Sequence, residues 1–509
     1  MDKLVLCKTK RKNKPISISR QAFDRLMRIE EKFNPWLWQY KGFPIWLGLR
    51  NTIFEIIYQK LNNNKPIDNP YKNRYKKSAN ILKNKISYLP KSPFFNLKQL
   101  KNKHVIFAYE SGIRGKYEKK NINIYIDPVR FYSPNNIKGI ELVTSYPNIE
   151  NKLYPTFKAI DFYFLKGVSY LLGTLLNKTN FSSFLLSNID KKFKIRESIY
   201  NMGFSVDLIF DLLAIEIIYL NILIPYWRKF LKVLNPRSIS GINWYSLENM
   251  VMYFVANNLG IPTIELQHGI ITSNHFSYIF KTNNLQFAKM ASPKHIIVYG
   301  EFFKKLLLRN STMWTEDQIH PLGYPWMSFF LKKIDINTNK IKNNLGLKYD
   351  QKIILITSQN DELSQTKLIE HLKKINLQND WIIIVKLHPY ERLFYKQIYK
   401  EVINKKGILF ITEKDMSLYE LLKICDVHVS FWSAVLWEAP VFGIKNFILE
   451  TENSYIVDDI KELGLARIIK SLDEIFKNNF NYDYKNISYI FNNLDGSSPQ
   501  KIAQFICNI

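Results

Sequence analysis

The chain has 509 residues, 46% hydrophobic and 23% charged, which is too long for one ordinary domain and too apolar for a disordered chain, so two or three folded domains are expected. Its three cysteines, Cys7, Cys425 and Cys507, are too few and too scattered for a disulfide framework or a Cys-rich zinc site, and they fit a reducing compartment. The formal charge of +28 is unevenly spread: residues 1–100 hold 22 Lys+Arg against 6 Asp+Glu, a net +16, whereas residues 335–509 hold 22 of each.

Met1 to Lys14 is basic but is followed by no apolar stretch and no small-residue cleavage site, so a cytoplasmic location is expected. Apolar residues recur at steps of three and four over Gln21–Lys32 and Trp46–Lys60, which predicts two helices. Between and around them cations alternate with aromatics, as in Trp36, Trp38, Tyr40 and Phe43. Such a segment wants an anionic partner. A nucleic acid and an anionic membrane surface both qualify, but no recognised nucleic-acid reader motif is present, which leaves the cytoplasmic face of an inner membrane as the expected contact. A Pro/Asn/Lys-rich stretch from Asn62 to about residue 80 reads as a linker or surface loop.

From residue 104 short apolar runs alternate with helical segments: His104–Tyr109, Ile122–Ile126, helices to about residue 234, Arg237–Ile242, a helix over Tyr245–Leu259, Pro262–Leu266 and His295–Gly300. Leu208–Trp227 is about as long as a membrane span, but Asp211 and Glu216 fall inside it, and it reads as a buried helix. After a polar connector, Lys332–Lys348, a second series runs through Lys352–Thr357, Trp381–Lys386, Ile408–Ile411, Asp426–Ser430 and Asn446–Leu449. Continuous apolar strands separated by helices predict parallel sheets covered on both faces. The expected organisation is α/β: a basic helical extension (1–100) and two Rossmann-like doubly wound domains (101–334 and 335–509) facing a cleft.

Ligands of such domains bind beyond the carboxyl ends of the strands, and three polar clusters fall there. Gln267-His268-Gly269 follows Pro262–Leu266; the glycine would allow a tight turn, and the imidazole could act as a general base or donate to a phosphate. Lys386-Leu387-His388-Pro389-Tyr390-Glu391 closes the strand from Trp381. Side chains alternate along a strand, so Lys386 and His388 are expected on one face, both offering donors to one anion. Ser430 and Ser433 precede a helix start whose N–H groups could hold a diphosphate, and Glu438 further on could accept from ribose hydroxyls.

The order and spacing of these clusters, with Asp495-Gly496-Ser497-Ser498 before a final helix, resemble GT-B fold glycosyltransferases of bacterial surface-polysaccharide (capsule and O-antigen) synthesis, including capsule-type and CDP-glycerol-type polyol-phosphate transferases. The likeness is good over about residues 235–509. Upstream it thins to Glu110-Ser111-Gly112-Ile113-Arg114 and Ile126-Asp127-Pro128. It implies an acceptor-binding first domain and a nucleotide-binding second domain. His388 and Lys386, with Pro389 and Glu391 beside them, would contact donor phosphates, Ser430 and Ser433 the diphosphate region, and Glu438 the ribose. His268, with Gln267 and Gly269, would be the catalytic turn, and Glu110, Ser111, Arg114 and Asp127 would lie on the acceptor side. Phe431-Trp432 is bulkier than the pattern allows.

No Gly-x-Gly-x-x-Gly follows a strand and no P-loop is present, which sets aside dinucleotide oxidation and ATP hydrolysis. No Asp-x-Asp ends a strand and no His-rich spacing suggests zinc, so catalysis without metal or cofactor is expected. The leading expectation is transfer of a sugar from a nucleotide sugar to a lipid-linked or lipopolysaccharide glycan acceptor. Transfer of a polyol phosphate from a CDP-activated donor is the alternative, and a nucleotide-sugar epimerase and a basic nucleic-acid-binding protein stand behind it.

Overall fold

Thirteen strands in the computed structural model of the protein build two sheets, each parallel throughout. The structure describes residues 18–63, 100–109, 112–142, 151–154, 157–158, 172, 181–412, 416–451, 457–477 and 485–509. A small hairpin, β1 (Gln39–Tyr40) and β2 (Phe43–Pro44), precedes the first sheet, and another, β4 (Ile113–Tyr117) and β5 (Lys120–Asn123), projects from it. The first sheet comprises β3 (His104–Tyr109), β6 (Ile137–Leu142), β7 (Phe157–Lys158), β8 (Ser238–Gly241), β9 (Thr263–Leu266), β10 (His295–Val298) and β11 (Ile319–Pro321), in the order β11-β10-β9-β8-β3-β6-β7. The second comprises β12 (Lys352–Thr357), β13 (Trp381–Lys386), β14 (Ile408–Ile411), β15 (Val427–Ser430), β16 (Lys445–Leu449) and β17 (Arg467–Ile469), in the order β14-β13-β12-β15-β16-β17.

Ile353–Ile356 and Ile382–Val385 are buried along their whole length, which β-branched runs achieve only in a central parallel strand packed on both faces. Four strands of the two sheets lay outside the sequence pattern, β6, β7, β11 and β17. The expected strand Ile122–Ile126 stops at Asn123, because the Asn123 side chain accepts from Tyr125 N (3.2 Å) and the Asp127 carboxylate accepts from Asn123 N (2.7 Å), turning the chain into a short helix at Asp127.

The described part of the basic extension is built into the first domain rather than set apart from it. Helices α1 (Ile18–Phe33) and α2 (Ile45–Asn63) bury Trp36, Phe43 and Trp46 completely, with Phe43 edge-on to Phe254 and Trp36 against Phe280. Arg50, 1% exposed, pairs with Glu30 at 2.6 Å, donates to the Ile279 carbonyl at 3.0 Å and to the Phe276 carbonyl, and lies over the Phe280 ring. A buried pair of this kind adds little net stability but fixes register. Here it fixes the chain just downstream of His268.

Val206–Leu234 is the one helix among the described residues long and apolar enough to cross a membrane, and 67% of its most apolar window is buried inside the protein. Glu216 within it is buried, which raises its carboxyl well above the usual range. A Cβ at Gly48 of α2 would collide with that carboxyl, so a glycine is what lets the two helices approach. The last helix, Ser498–Asn508, returns to pack on the helices Pro325–Lys333 and Asp127–Phe131 of the first domain. Asn492 N donates to the Tyr299 carbonyl at 2.8 Å on the way back.

Candidate functional site

Each sheet reverses its direction of growth once, between β3 and β8 in the first and between β12 and β15 in the second. Such reversal points open a crevice at the carboxyl ends of the strands. The residues that end β8 and β9 on one side, and β12, β13 and β15 on the other, therefore define the site.

On the first side His268 is half-buried immediately after β9. Its Nδ1 accepts from Asn243 N at 3.2 Å and lies 3.7 Å from the Glu265 carboxylate, and its Nε2 lies 3.4 Å from the Tyr245 hydroxyl. Glu265 is fully buried, which raises its carboxyl, while His268, Trp244 N and Tyr278 oppose the rise by stabilising the anion. The two neighbours of Nδ1 dictate opposite tautomers. With Asn243 N–H donating, the neutral ring carries its hydrogen on Nε2; with Nδ1–H turned to an ionised Glu265, Nε2 is free to take a proton. His275 is enclosed by Tyr245 and Tyr278, and burial lowers it to about 4, so it stays neutral beside His268.

On the second side the turn after β12, Thr357-Ser358-Gln359, is buried and knits the switch point together. The Ser430 hydroxyl donates to the Thr357 carbonyl at 2.8 Å, Gln359 reaches Ser430 at 3.4 Å, and His388 N donates to the Ser358 hydroxyl at 2.9 Å. His388 Nδ1 accepts from Tyr390 N at 3.3 Å, which makes Nε2 the donating nitrogen of the neutral ring.

Glu438 closes the gap between the two halves. Desolvation raises its carboxyl to about 7, against the hydrogen bond from Tyr419 and the charge of Arg114 from β4. Tyr324 and Tyr125 of the first domain feel both charges, and the Tyr125 hydroxyl donates to the His268 carbonyl at 3.3 Å. Tyr125 thus links the His268 turn to the charges of Arg114 and Glu438, a cation and a carboxyl raised to about 7.

Other sequence expectations need correction. Gln267 is buried, with Nε2 donating to the Gly269 carbonyl and Oε1 accepting from Tyr299 N, both at 2.8 Å, so it braces the turn. Gly269 is outside the left-handed region and a Cβ there would meet nothing within 4 Å; open space, not turn strain, is its local property. Lys386 is 5% exposed and its ammonium donates to the Met416 carbonyl at 2.8 Å. β13 ends at Lys386, so the strand alternation that would set Lys386 and His388 on one face does not extend to His388. Glu391 is buried and accepts from His388 N, Gln365 and Tyr399 at 2.9, 2.9 and 2.8 Å, so it holds the loop rather than a ligand.

Ser430 commits its hydrogen to Thr357, and the Ser433 hydroxyl accepts from Val435 N at 3.2 Å in a tight turn before a helix of only four residues, Val435–Glu438, whose N-cap is Ala434. Asp127 is 2% exposed, packed near Arg130 and Glu141 beneath the surface, and burial raises it to about 7. Pro389 is exposed at the end of the β13 turn. Glu110 and Ser111 lie outside the described residues. The sequence reading did not single out Gln359, Tyr125, Tyr245, Tyr324 or Tyr419. A polar triplet directly after the apolar run Lys352–Ile356 was the available signal for the first, whereas the tyrosines come from distant segments and only folding groups them.

Residues 243–442 match the family model described as CDP-glycerol:poly(glycerophosphate) glycerophosphotransferase. That span carries His268, His388, Ser430 and Glu438, and so both halves of the site. No curated protein matches the chain. Among solved structures, the fold is similar to the UDP-GlcNAc 2-epimerase of Neisseria meningitidis bound to UDP-GlcNAc, at 14% identity over 80% of this chain and 100% of that one, with a TM-score of 0.47. The Methanocaldococcus jannaschii UDP-GlcNAc 2-epimerase in complex with UDP-GlcNAc and UDP gives 14%, 80%, 100% and 0.48. A variant of the wall teichoic acid polymerase TagF soaked with CDPG gives 14% identity over 86% of this chain and 94% of that one, with a TM-score of 0.43.

Proposed function

We propose that the protein is a transferase of cell-surface polymer synthesis that moves a polyol phosphate from a CDP-activated donor to a hydroxyl of a lipid-linked acceptor. The observation that carries the reading is the link through Tyr125, which donates to the His268 carbonyl and feels the charge of Glu438, within a segment matched to the glycerophosphotransferase family. In this reading the acceptor hydroxyl gives its proton to His268 Nε2 while Nδ1–H faces Glu265, and the resulting imidazolium is stabilised by that buried carboxylate. The acceptor oxygen bonds to the distal phosphorus of the donor, the bond from that phosphorus to the bridging oxygen breaks, and CMP leaves. His388 Nε2–H and the charge of Arg114 offset the charge on the phosphates, which positioned donors do most effectively out of water. Glu438 takes the ribose hydroxyls. The reaction is proposed to need no metal, so chelation with EDTA should leave the rate unchanged.

Transfer of a sugar from a nucleotide sugar is the second reading, since the resemblance carried by Gln267-His268-Gly269 and Lys386-x-His388-Pro389 extends to both kinds of transferase. The leaving group separates the two. Attack on phosphorus releases a nucleoside monophosphate, whereas attack on an anomeric carbon releases a nucleoside diphosphate. Purified protein with an acceptor and a panel of CDP-glycerol, CDP-ribitol and nucleotide sugars should release CMP from a CDP-polyol. Release of UDP, GDP or CDP would transfer the assignment to the sugar.

Attachment to the cytoplasmic face of the inner membrane is proposed as well, on the +16 of residues 1–100. Arg20, Arg25, Arg28 and Lys281 also line an open groove of about 630 Å³ with Phe23, Met27, Leu61 and one carboxylate, Asp24, which is paired with Arg20. Cations beside apolar side chains suit a lipid phosphate.

A further inference from the structure

The chain leaving β13 exposes a row of apolar side chains. Tyr390 is 69%, Leu393 76% and Phe394 61% exposed. Isolated exposed apolar residues are ordinary, but three within five positions are a patch. The loop is not loosely placed. Its one carboxylate, Glu391, is turned inward, 1% exposed, and accepts from four groups: His388 N, Ser358, Gln365 and Tyr399. Phe394 N donates to the Glu391 carbonyl at 2.9 Å, and Ile398 N to the Phe394 carbonyl at 3.0 Å. Tyr399 is fully buried at the far end. Anchored at both ends, the loop holds Leu393 and Phe394 out in water.

The exposed charges of residues 388–400 have one sign, and the next carboxylate along the chain, Glu401, is paired with Lys373. Arg392, Lys396 and Lys400 are exposed, and Glu391, the only carboxylate of residues 388–400, is withdrawn into the protein. We infer that the loop Tyr390–Lys400 is a membrane contact in which Leu393 and Phe394 enter the interfacial layer of an anionic bilayer while Arg392, Lys396 and Lys400 meet lipid phosphates. Apolar and aromatic tips ringed by cations match the headgroup boundary in both polarity and charge. A second copy of the chain fits poorly, because a twofold contact would set these cations against themselves. The loop follows His388 directly, so docking it holds the carboxyl end of β13 close to the membrane surface. The inference extends the reading of a lipid-linked acceptor, but its test uses no transfer reaction, so failure of either leaves the other standing.

The test compares full-length wild type with Leu393→Ser/Phe394→Ser and with Arg392→Glu/Lys396→Glu, in co-sedimentation with vesicles of phosphatidylglycerol and phosphatidylethanolamine or of phosphatidylcholine alone. All changes are at exposed positions, and melting temperature controls for folding. The expected result is preference of wild type for anionic vesicles and at least about a tenfold loss of binding in both variants, with CDP affinity and sedimentation coefficient unchanged. Vesicle binding that ignores the Leu393/Phe394 change overturns the inference, as does wild type that binds no vesicles. Loss of CDP affinity with vesicle binding intact would assign the loop to the donor pocket, and a change of oligomeric state would assign it to a second copy.

Discussion

The two domains share one winding pattern but make their half of the cleft in different ways. The second, balanced in charge, forms its half from a tight knit of backbone and small polar groups at the switch point, Thr357, Gln359 and Ser430. The first is strongly basic and forms its half from buried ionisable groups: Glu265 behind His268, Arg50 and Glu30 behind the following loop, Asp127 beneath the β4–β5 hairpin. A knit of neutral hydrogen bonds suits a seat for a ligand whose charge varies little. Buried ionisable groups suit chemistry in which a proton moves, because desolvation shifts their proton affinity, as it raises the Glu265 and Asp127 carboxyls.

The largest expected effect follows from that difference. His268→Ala should lower turnover by at least about 100-fold while leaving CDP affinity and melting temperature unchanged. Glu265→Gln should lower the maximal rate and move the acid limb of the pH–rate profile to lower pH, because the imidazolium loses its carboxylate partner; an unaltered profile would leave His268 as a donor to phosphate instead. His388→Ala, on the other side, should weaken CDP by about tenfold to a hundredfold, the size of a lost hydrogen bond to a charged group. Wild-type CDP affinity in that variant would remove His388 from the phosphate site.

Glu438 belongs to both halves and gives a smaller, pH-dependent effect. Its carboxyl lies at about 7 in the free protein, and ribose hydroxyls bind its ionised form. Nucleotide affinity should therefore rise as pH increases through 7 and level off above it. Glu438→Gln should flatten that dependence, and an equal slope in variant and wild type would place the ribose elsewhere. Asp127, raised from 3.8 to about 7, keeps a proton in the folded state that the unfolded chain releases above pH 4. Its contribution to stability therefore falls as pH rises from 4 to 7. Asp127→Asn should gain on wild type by about 2–4 kcal/mol between pH 4 and pH 8, read from urea unfolding. A constant difference would mean that the carboxyl is not desolvated.

Legibility in the sequence follows the same division. Lys352–Thr357, Trp381–Lys386 and Ile408–Ile411 were readable to the residue because unbroken apolar runs have few alternatives. β6 was hidden because Lys138 and Glu141 interrupt it, and only the fold shows Glu141 buried and paired with Lys152. His268 and Glu438 could be found from their place after strands. The pairing of Lys386 with His388 carried strand alternation past the end of β13, and the burial of Lys386 against the Met416 carbonyl was not legible. Tyr125, Tyr245, Tyr324 and Tyr419 were invisible, since what matters about them is convergence from four separate segments onto two titratable groups.

The central claim, that the second domain seats the donor nucleotide while the first brings His268 to it, is tested most directly by hydrogen exchange with and without CDP. The account predicts slowed exchange in the turns at 357–361, 386–391 and 430–438, weaker slowing near 268, and no change around 137–142. Protection confined to the first domain, with the switch point between β12 and β15 exchanging at its free rate, would contradict it.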